Sequence, residues 1–434
     1  MKNRKERCNS LLPINCDSLF VVRINEKTNA RQVALTCLYK WEDGRSFAET
    51  LVDKESQVAR LSESDRKLVL ALVFSVIRNI SLLNSLITEL RDGKIDTQTR
   101  LILQLGLAQL FLLNLSSHAA VFETVNLAPQ KTKGLINAIL RSALRRQKEL
   151  EAKIDQLTPA TRYSTPKWLV NRWENNFGHD QTLAMLQWNN MTPTLFARKT
   201  QGADIDTEAL RLTPIPNLED WYEIQGRLPL EEVRAGKLYI SDPSTRYAID
   251  LLAPVQGESI LDACAAPGGK AAAIISKTQG VVKLVATDLH DYRLPTLLEN
   301  LQKQGGNDVS TAQADWSQPC PEQWKNAFDA VLLDVPCSNT GVIQRRVDVR
   351  WRLTAKEITR LADLQFQILE NASQAVKQGG RLVYSTCSID QEEDRAVIDR
   401  FLATHPEWSF VEEKLALPHI EKSDGAYAAL LKRQ

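Results

Sequence analysis

Two apolar runs in the chain end on a cysteine. VYSTCS (383–388) carries Cys387 between small hydroxyl residues, and AVLLDVPCSNTG (330–341) carries Asp334, Pro336 and Cys337. A free thiol with a pKa of about 8.5 is only a few per cent thiolate at neutral pH, yet it is intrinsically a strong nucleophile. A soft thiolate suits addition to an electron-poor ring carbon, of which C6 of cytosine is one. Addition there breaks the ring's aromaticity and makes C5 electron-rich enough to take a methyl group. A carboxyl that protonates or hydrogen-bonds N3 would stabilise the developing charge, and Asp334, three residues before Cys337, is placed for it. C5 must then lose a proton and the attacking sulfur must leave, a step that a second group can assist. The residues by themselves leave open which thiol attacks.

A second set of residues has the makings of a nucleotide pocket. In DACAAPGGK (262–270), Gly268 and Gly269 let the backbone approach a ligand, and the helix that follows presents free N–H groups. The stretch is neither G-x-G-x-x-G, so the nicotinamide fingerprint is absent, nor G-x-x-x-x-G-K-[ST]. Asp288 ends the next apolar run, where doubly wound folds put a carboxylate to accept from ribose hydroxyls. Asp315, in AQADWS, is suited to an adenine amino group. The chain has seven cysteines, an odd number with no C-x-x-C pair. That argues against a metal site and for free thiols in a reducing compartment.

The elements that must position these groups are legible in the hydrophobic pattern. SILDA (259–263), KLVAT (283–287), FDAVLLD (328–334) and RLVYSTC (381–387) are short and rich in Val, Leu and Ile, as strands buried on both faces of a parallel sheet are. Both cysteines and the acids then fall on one rim of one sheet, the carboxyl rim where doubly wound folds bind ligands. The clearest intervening helix opens on Thr354 with Glu357 as a capping box. It runs through Ile358, Leu361, Ile368, Leu369, Ala372 and Val376 and is expected to stop at Gly379-Gly380.

The front of the chain reads differently. Residues 29–152 show helical spacing throughout, with helices expected over 30–41, 62–87 and 101–115. The last of these is broken by Gln104, Gln109 and Asn114, which makes it a core helix rather than a membrane span. KTKGLINAILRSALRRQK (131–148) has an apolar face of Leu135, Ile136, Ile139, Leu140 and Ala143. Opposite stand Arg141, Arg145, Arg146 and Lys148, either a solvated face or a phosphate-contacting stripe. Residues 153–238 are interrupted by prolines and read as a small mixed domain, with TLFARK (194–199) a strand candidate. Residues 239–434 are the α/β part, and residues 1–28 a tail.

Net charge is +1, but residues 1–150 hold 23 Lys and Arg against 15 Asp and Glu, and the remainder 31 against 38. A basic front joined to an acidic back suggests a polyanion-binding module attached to something else. No apolar run reaches the roughly 18–20 residues of a membrane helix. The N-terminus lacks the h-region of a signal peptide, so a cytoplasmic protein with no membrane partner is expected.

CAAPGGK, LLDVPCSNTGVI and VYSTCS together resemble the RNA 5-methylcytosine methyltransferases, which use S-adenosylmethionine. The helical front half with GLINAILR resembles the NusB-like RNA-binding domain fused to one bacterial member of that family. The resemblance implies an all-α NusB-like N-terminal domain followed by an α/β Rossmann-like (class I) methyltransferase domain. It also implies 16S ribosomal RNA as substrate and methylation at cytosine C5 through a covalent Cys–C6 bond; no metal is expected, and the oligomeric state is left open with a monomer favoured. Carried over by position, Cys264, Ala265, Ala266, Pro267, Gly268, Gly269, Lys270, Asp288, Asp315 and Asp334 match the family's cofactor-binding positions. Cys387 matches the nucleophile and Cys337 the cysteine that helps release the product, while the catalytic role of Asp334 rests on its placement before Cys337. Arg345, Arg346 and Arg350 join Arg141, Arg145, Arg146 and Lys148 as expected phosphate contacts.

The chain departs from the family pattern at three places. Val347 stands where a Pro is common, Ala271 follows Lys270 where Thr or Ser often does, and Ala426 and Leu430 replace a Phe and a Lys near the C-terminus. A tRNA cytosine-C5 methyltransferase sharing the same catalytic half is the alternative, against which the front half argues. A non-catalytic RNA-binding factor is disfavoured by the intact cysteines and acids. An adenine N6 methyltransferase would want N/D-P-P-Y/F where this chain has D-V-P-C.

Overall fold

A computed structural model of the chain describes residues 29–306 and 308–434, so the tail 1–28 lies outside the described residues. The chain divides into two compact units, one ending at Val76 and resuming over Ile87–Gln147, the other comprising Ile77–Leu86 and Lys148–Gln434.

The first unit is helical. Its helices include Ala30–Glu42, Ala48–Val58, Thr97–Phe111, Ser117–Asn126 and Gln130–Arg145. Asn29 and Asp96 cap two of them, each side chain accepting a backbone N–H at 2.9 Å, from Gln32 and Thr99. Gln109, the polar residue that interrupts the apolar run 101–115, is buried and fully engaged. It accepts from Arg31 Nε at 2.7 Å and donates to Thr124 Oγ1 at 2.9 Å, so the helix is a core helix.

The single helix expected over 62–87 is instead two, Glu63–Arg78 and Ile80–Leu90. The break at Asn79 has a tertiary cause. Trp351 Nε1 donates to the Ile77 carbonyl at 2.8 Å, taking an acceptor that a continuing helix would have used, and Asn190 Nδ2 donates to Asn79 Oδ1 at 3.1 Å.

The second unit holds two sheets. The smaller is antiparallel, with strands β1 (Phe196–Lys199), β2 (Leu212–Pro214), β3 (Trp221–Ile224) and β4 (Leu238–Ile240) in the order β2-β3-β1-β4. The larger has β5 (Ser259–Asp262), β6 (Lys283–Asp288), β7 (Val309–Gln313), β8 (Phe328–Asp334), β9 (Val376–Thr386), β10 (Trp408–Ala416) and β11 (Ala426–Arg433), in the order β10-β11-β9-β8-β5-β6-β7. Strands β7, β6, β5, β8 and β9 run parallel, and β11 inserts antiparallel between β9 and β10. The order reverses at β5, which opens a crevice at its carboxyl end. Helices cover both faces, and Leu261, Val331, Leu333, Leu382 and Tyr384 on one face, Ile260, Leu332 and Val383 on the other, are buried. This is the α/β Rossmann-like class expected.

The helix opened by Thr354 is capped as expected, Thr354 Oγ1 accepting from Glu357 N at 3.2 Å, but it ends at Ser373 rather than at Gly379-Gly380. Ala327 and Phe328 each donate a backbone N–H to the Ala375 carbonyl at 3.0 Å, and Val376 pairs with Phe328. The sheet therefore captures the chain before the glycines, which lie within β9.

Candidate active site

Strands β8 and β9 lie side by side and parallel, so the loops that leave them are neighbours. Cys337 and Cys387 ride on those loops with their sulfurs 3.0 Å apart, both as free thiols. The loop after β8 turns back through Asn339 in the left-handed region (φ +62°), whose amide donates to the Cys337 carbonyl at 2.9 Å and accepts from the Cys387 thiol at 3.2 Å. Gly341 then threads between the Cys387 carbonyl and Gly425. It donates to the Cys387 carbonyl at 3.0 Å and accepts from Gly425 N at 2.8 Å. A methyl group on Gly341 would sit 2.6 Å from the Gly425 oxygen and 2.8 Å from the Cys387 oxygen, so only glycine fits there.

Beneath the two thiols lies a carboxylate that the motifs did not flag. Glu393, fully buried, accepts from Ser338 N at 2.8 Å, the Ser388 hydroxyl at 2.8 Å, Gln365 Nε2 at 2.9 Å and the Ser338 hydroxyl. One side chain thus ties the Cys337 loop to the Cys387 loop. Burial pushes its pKa up, against these donors. Asp394, also buried, accepts from Thr386 Oγ1 at 2.6 Å beside the same cysteine. The available signal was the hydroxyls Ser338, Thr386 and Ser388 flanking the cysteines, buried donors that need acceptors.

Cys387 lines a cavity of about 70 Å³ together with Lys270, Asp242, Tyr247, Thr386 and Asp424, while Cys337 stands behind it. The contact with Cys387, followed by burial, raises the Cys337 pKa. Lys270 Nζ sits 2.7 Å from Asp334 Oδ2. Burial alone would lower the lysine's pKa, but Asp334 and, beyond it, Cys387 outweigh that and raise it, so the ammonium stays charged beside the thiol.

The loop from β5 is tightly wound. Gly268 has φ +109°, with a position for Cβ only 2.9 Å from Leu297, and its N–H donates to Ala265 O at 2.7 Å; the helix Gly269–Lys277 follows at once. Cys264 is pushed far up by burial and is an inert thiol. At the next strand end, Asp288 is buried, accepting from His290 N at 3.0 Å and pairing with Arg293 at 3.2 Å. Asp315 is exposed on the loop after β7 and accepts from Ser317 N at 3.0 Å. At the end of β5, between β8 and β6, Asp262 is wholly buried, neither carboxylate oxygen having a partner at hydrogen-bond distance among the described residues, and its pKa is raised to about 7 by burial and by nearby Asp334. Close backbone, a helix N-terminus and carboxylates on adjacent strand ends fit a nucleoside with free ribose hydroxyls and an amino group.

The arginines expected on phosphate divide. Arg345 donates to Asp242 at 2.8 Å, to Asp424 at 2.8 Å and to the Thr194 carbonyl at 2.8 Å, which makes it a strut in the wall of the cysteine cavity. Arg350 is fully buried, donating to the Tyr163 carbonyl at 3.0 Å, Asn190 Oδ1 at 2.8 Å and the Asn189 carbonyl at 3.0 Å. Burial, with Arg78 beside it, lowers its pKa to about 9. Both expectations of phosphate contact are corrected: these guanidiniums hold protein atoms. Arg346 is exposed. In the helical unit Arg141 and Arg145 are exposed and Arg146 pairs with Glu89 at 2.9 Å; in the other unit Lys148 is exposed.

A family model described as 16S rRNA methyltransferase RsmB/F matches residues 249–432, and one described as NusB family matches residues 28–161. A ribosomal RNA small subunit methyltransferase B from Escherichia coli O127:H6 is 34% identical, over 90% of this chain and 96% of its own. One from Vibrio cholerae serotype O1 is 32% identical over 94% and 98%. A probable one from Synechocystis sp. is 32% identical over 93% and 99%. Among solved structures, that titled PH0851 superimposes with a TM-score of 0.72 at 21% identity, covering 92% of this chain and 97% of its own. NSun6 from Pyrococcus horikoshii, solved with SFG, gives 0.55 at 18% identity over 62% and 98%. At these identities the two structures speak for the fold.

Proposed function

The chain belongs to the 16S rRNA methyltransferase RsmB/F family, with a NusB-family domain at its front, and from that premise we propose that it methylates C5 of a cytosine in 16S rRNA through a covalent bond from Cys387 to C6. It is an RNA methyltransferase. The observation that carries the assignment of roles is the cavity lined by Cys387 and Lys270, with Cys337 3.0 Å behind.

In this reading Cys387 attacks as the thiolate, with the Lys270 ammonium on the same cavity wall. The S–C6 bond forms, the C5–C6 π pair moves into the ring toward N3, and the Lys270–Asp334 pair offers a proton or hydrogen bond to the charge that develops there. When bound, S-adenosylmethionine supplies a methyl group activated on a sulfonium. The Cys264–Lys270 loop, Asp288, Asp315 and Asp334 are the residues we assign to hold it, with Asp288 on ribose hydroxyls and Asp315 on the adenine amino group. Once C5 carries the methyl, water takes the C5 proton, the C5–H electrons restore the C5–C6 double bond, and the S–C6 pair leaves on Cys387 as the thiolate, a departure that the Cys337 thiol assists.

Residues 29–152 would bind RNA, with Arg141, Arg145, Arg146 and Lys148 on phosphates, while 239–434 carry out the chemistry and 153–238 connect them. Arg346 joins the phosphate contacts. The target base must leave its stack to reach a sheet rim, so a flipped or unpaired cytosine is required. Affinity should fall steeply with salt. A cytoplasmic location follows from the substrate.

The test is incubation with methyl-labelled S-adenosylmethionine and unmodified 16S rRNA, with tRNA alongside. Label in C5 of one 16S cytosine, lost in Cys387→Ala, is expected. Label in tRNA would keep the chemistry and overturn the substrate.

A further inference from the structure

Beside the cysteine cavity lies a larger one of about 380 Å³. That is within the roughly 300–1,000 Å³ typical of small-molecule sites. The two cavities have Ser244 and Tyr247 in common, so the occupant of one abuts the occupant of the other. None of the chemistry derived above uses the larger cavity.

Its walls combine aromatic faces with cations. Lys422 Nζ stands 5.3 Å from the Trp188 ring centre, and the Arg246 guanidinium 4.4 Å from that of Tyr247. Trp188 is held in place by its carbonyl, which accepts from Gln344 Nε2 at 2.9 Å, on the chain that follows Cys337. Two donors of this wall, Trp188 Nε1 and Arg246 Nε, are buried without an acceptor among the described residues. Of the acids present, Glu421 accepts the Tyr247 hydroxyl at 2.7 Å, and Glu223 adds an acceptor suited to an exocyclic amino group.

Flat π surfaces with cations beside them are how proteins hold single-stranded RNA: the base stacks, and the phosphate meets the charge. We infer that this cavity receives the nucleotide adjacent to the target cytosine, its base on Trp188 and its phosphate between Arg246 and Lys422. A flipped cytosine in the cysteine cavity has a covalently attached neighbour, and the shared wall puts that neighbour here. The inference rests on the reading of Cys387 as the nucleophile, and it adds a subsite that reads the sequence or geometry around the target.

The experiment measures steady-state methylation of the RNA that the wild type labels, varying RNA and S-adenosylmethionine separately, for Trp188→Ala, Trp188→Phe and Lys422→Ala. Losing one base stack should raise the KM for RNA in Trp188→Ala roughly five- to one-hundred-fold. The KM for S-adenosylmethionine should not change, and Trp188→Phe should recover most of the loss. In Lys422→Ala the log–log salt dependence of RNA affinity should become shallower by about one phosphate contact. An unchanged RNA KM in Trp188→Ala overturns the inference. So does a KM for S-adenosylmethionine that rises in step, which would make the cavity part of the methyl donor's site. A wild type that labels no RNA would overturn the methyltransfer reading itself, and this subsite with it.

Discussion

Two thiols share one rim, but their surroundings divide the labour. Cys387 faces the cavity and the Lys270 ammonium; Cys337 is behind it, its pKa raised by contact with Cys387 and by burial. Cys387→Ala should abolish methyl transfer. Cys337→Ala should instead accumulate enzyme covalently attached to RNA, seen as a band that survives denaturing electrophoresis; its absence would remove Cys337 from product release. A second prediction concerns Asp262, whose pKa of about 7 reflects burial first and Asp334 next. The native state holds this proton more tightly than the unfolded chain, where a carboxyl titrates near 3.9. Ionising it therefore costs stability as pH rises from about 4 to 7. Across that window the wild type should lose on the order of 3–4 kcal/mol of unfolding free energy relative to Asp262→Asn, measured by urea titration. Parallel slopes would mean that Asp262 titrates normally. The cysteines and strand-end acids were legible in the sequence because their motifs close recognisable apolar runs. Arg345 and Arg350 were not, because an arginine's letter carries a prior of exposure that only packing can revoke.

The site is precise because the elements leave it little slack. Parallel pairing of β8 with β9 sets the two cysteine loops side by side; Glu393 fastens them from below and Gly341 wedges them above. Gly341→Ala would drive a methyl into two carbonyl oxygens, so the Cys387 loop must move. Overpacking of this kind costs about 1–3 kcal/mol, and kcat should drop by tenfold or more while RNA affinity holds. Glu393→Ala would leave its four donors without their carboxylate. A loss on the order of 3 kcal/mol in stability is expected, with kcat reduced as well. A variant that melts like wild type would show that the hydroxyls find other acceptors. The parallel strands nearest the site were readable because each is apolar on both faces. Strands β7 (VSTAQ) and β10 (WSFVEEKLA) escaped notice because they are edge strands, with one flank open to water and few residues buried. The break at Asn79 escaped too, since the hydrogen bond that ends that helix comes from Trp351, far along the chain.

The whole molecule is two units whose boundary does not fall at a single point in the chain. Residues 77–86 belong to the catalytic unit, although the chain on either side of them belongs to the helical one. Within the catalytic unit this excursion is engaged in several ways. Ile77 accepts from Trp351 at 2.8 Å, Arg78 donates to the Gln344 carbonyl at 2.9 Å, and Leu82 N donates to Ser164 Oγ at 3.1 Å. A fragment beginning at Lys148 would lack all three. It should melt well below the catalytic transition of the full chain, by calorimetry, and equal midpoints would show those bonds to be dispensable. The consequence is one of descent. A fusion whose halves stay separable can be undone by a single deletion, with each half surviving as its own gene. Here a deletion that removed the front half would take with it ten residues that the back half has made its own. The union is easier to inherit than to reverse, and its lineages should be found to vary the two halves together.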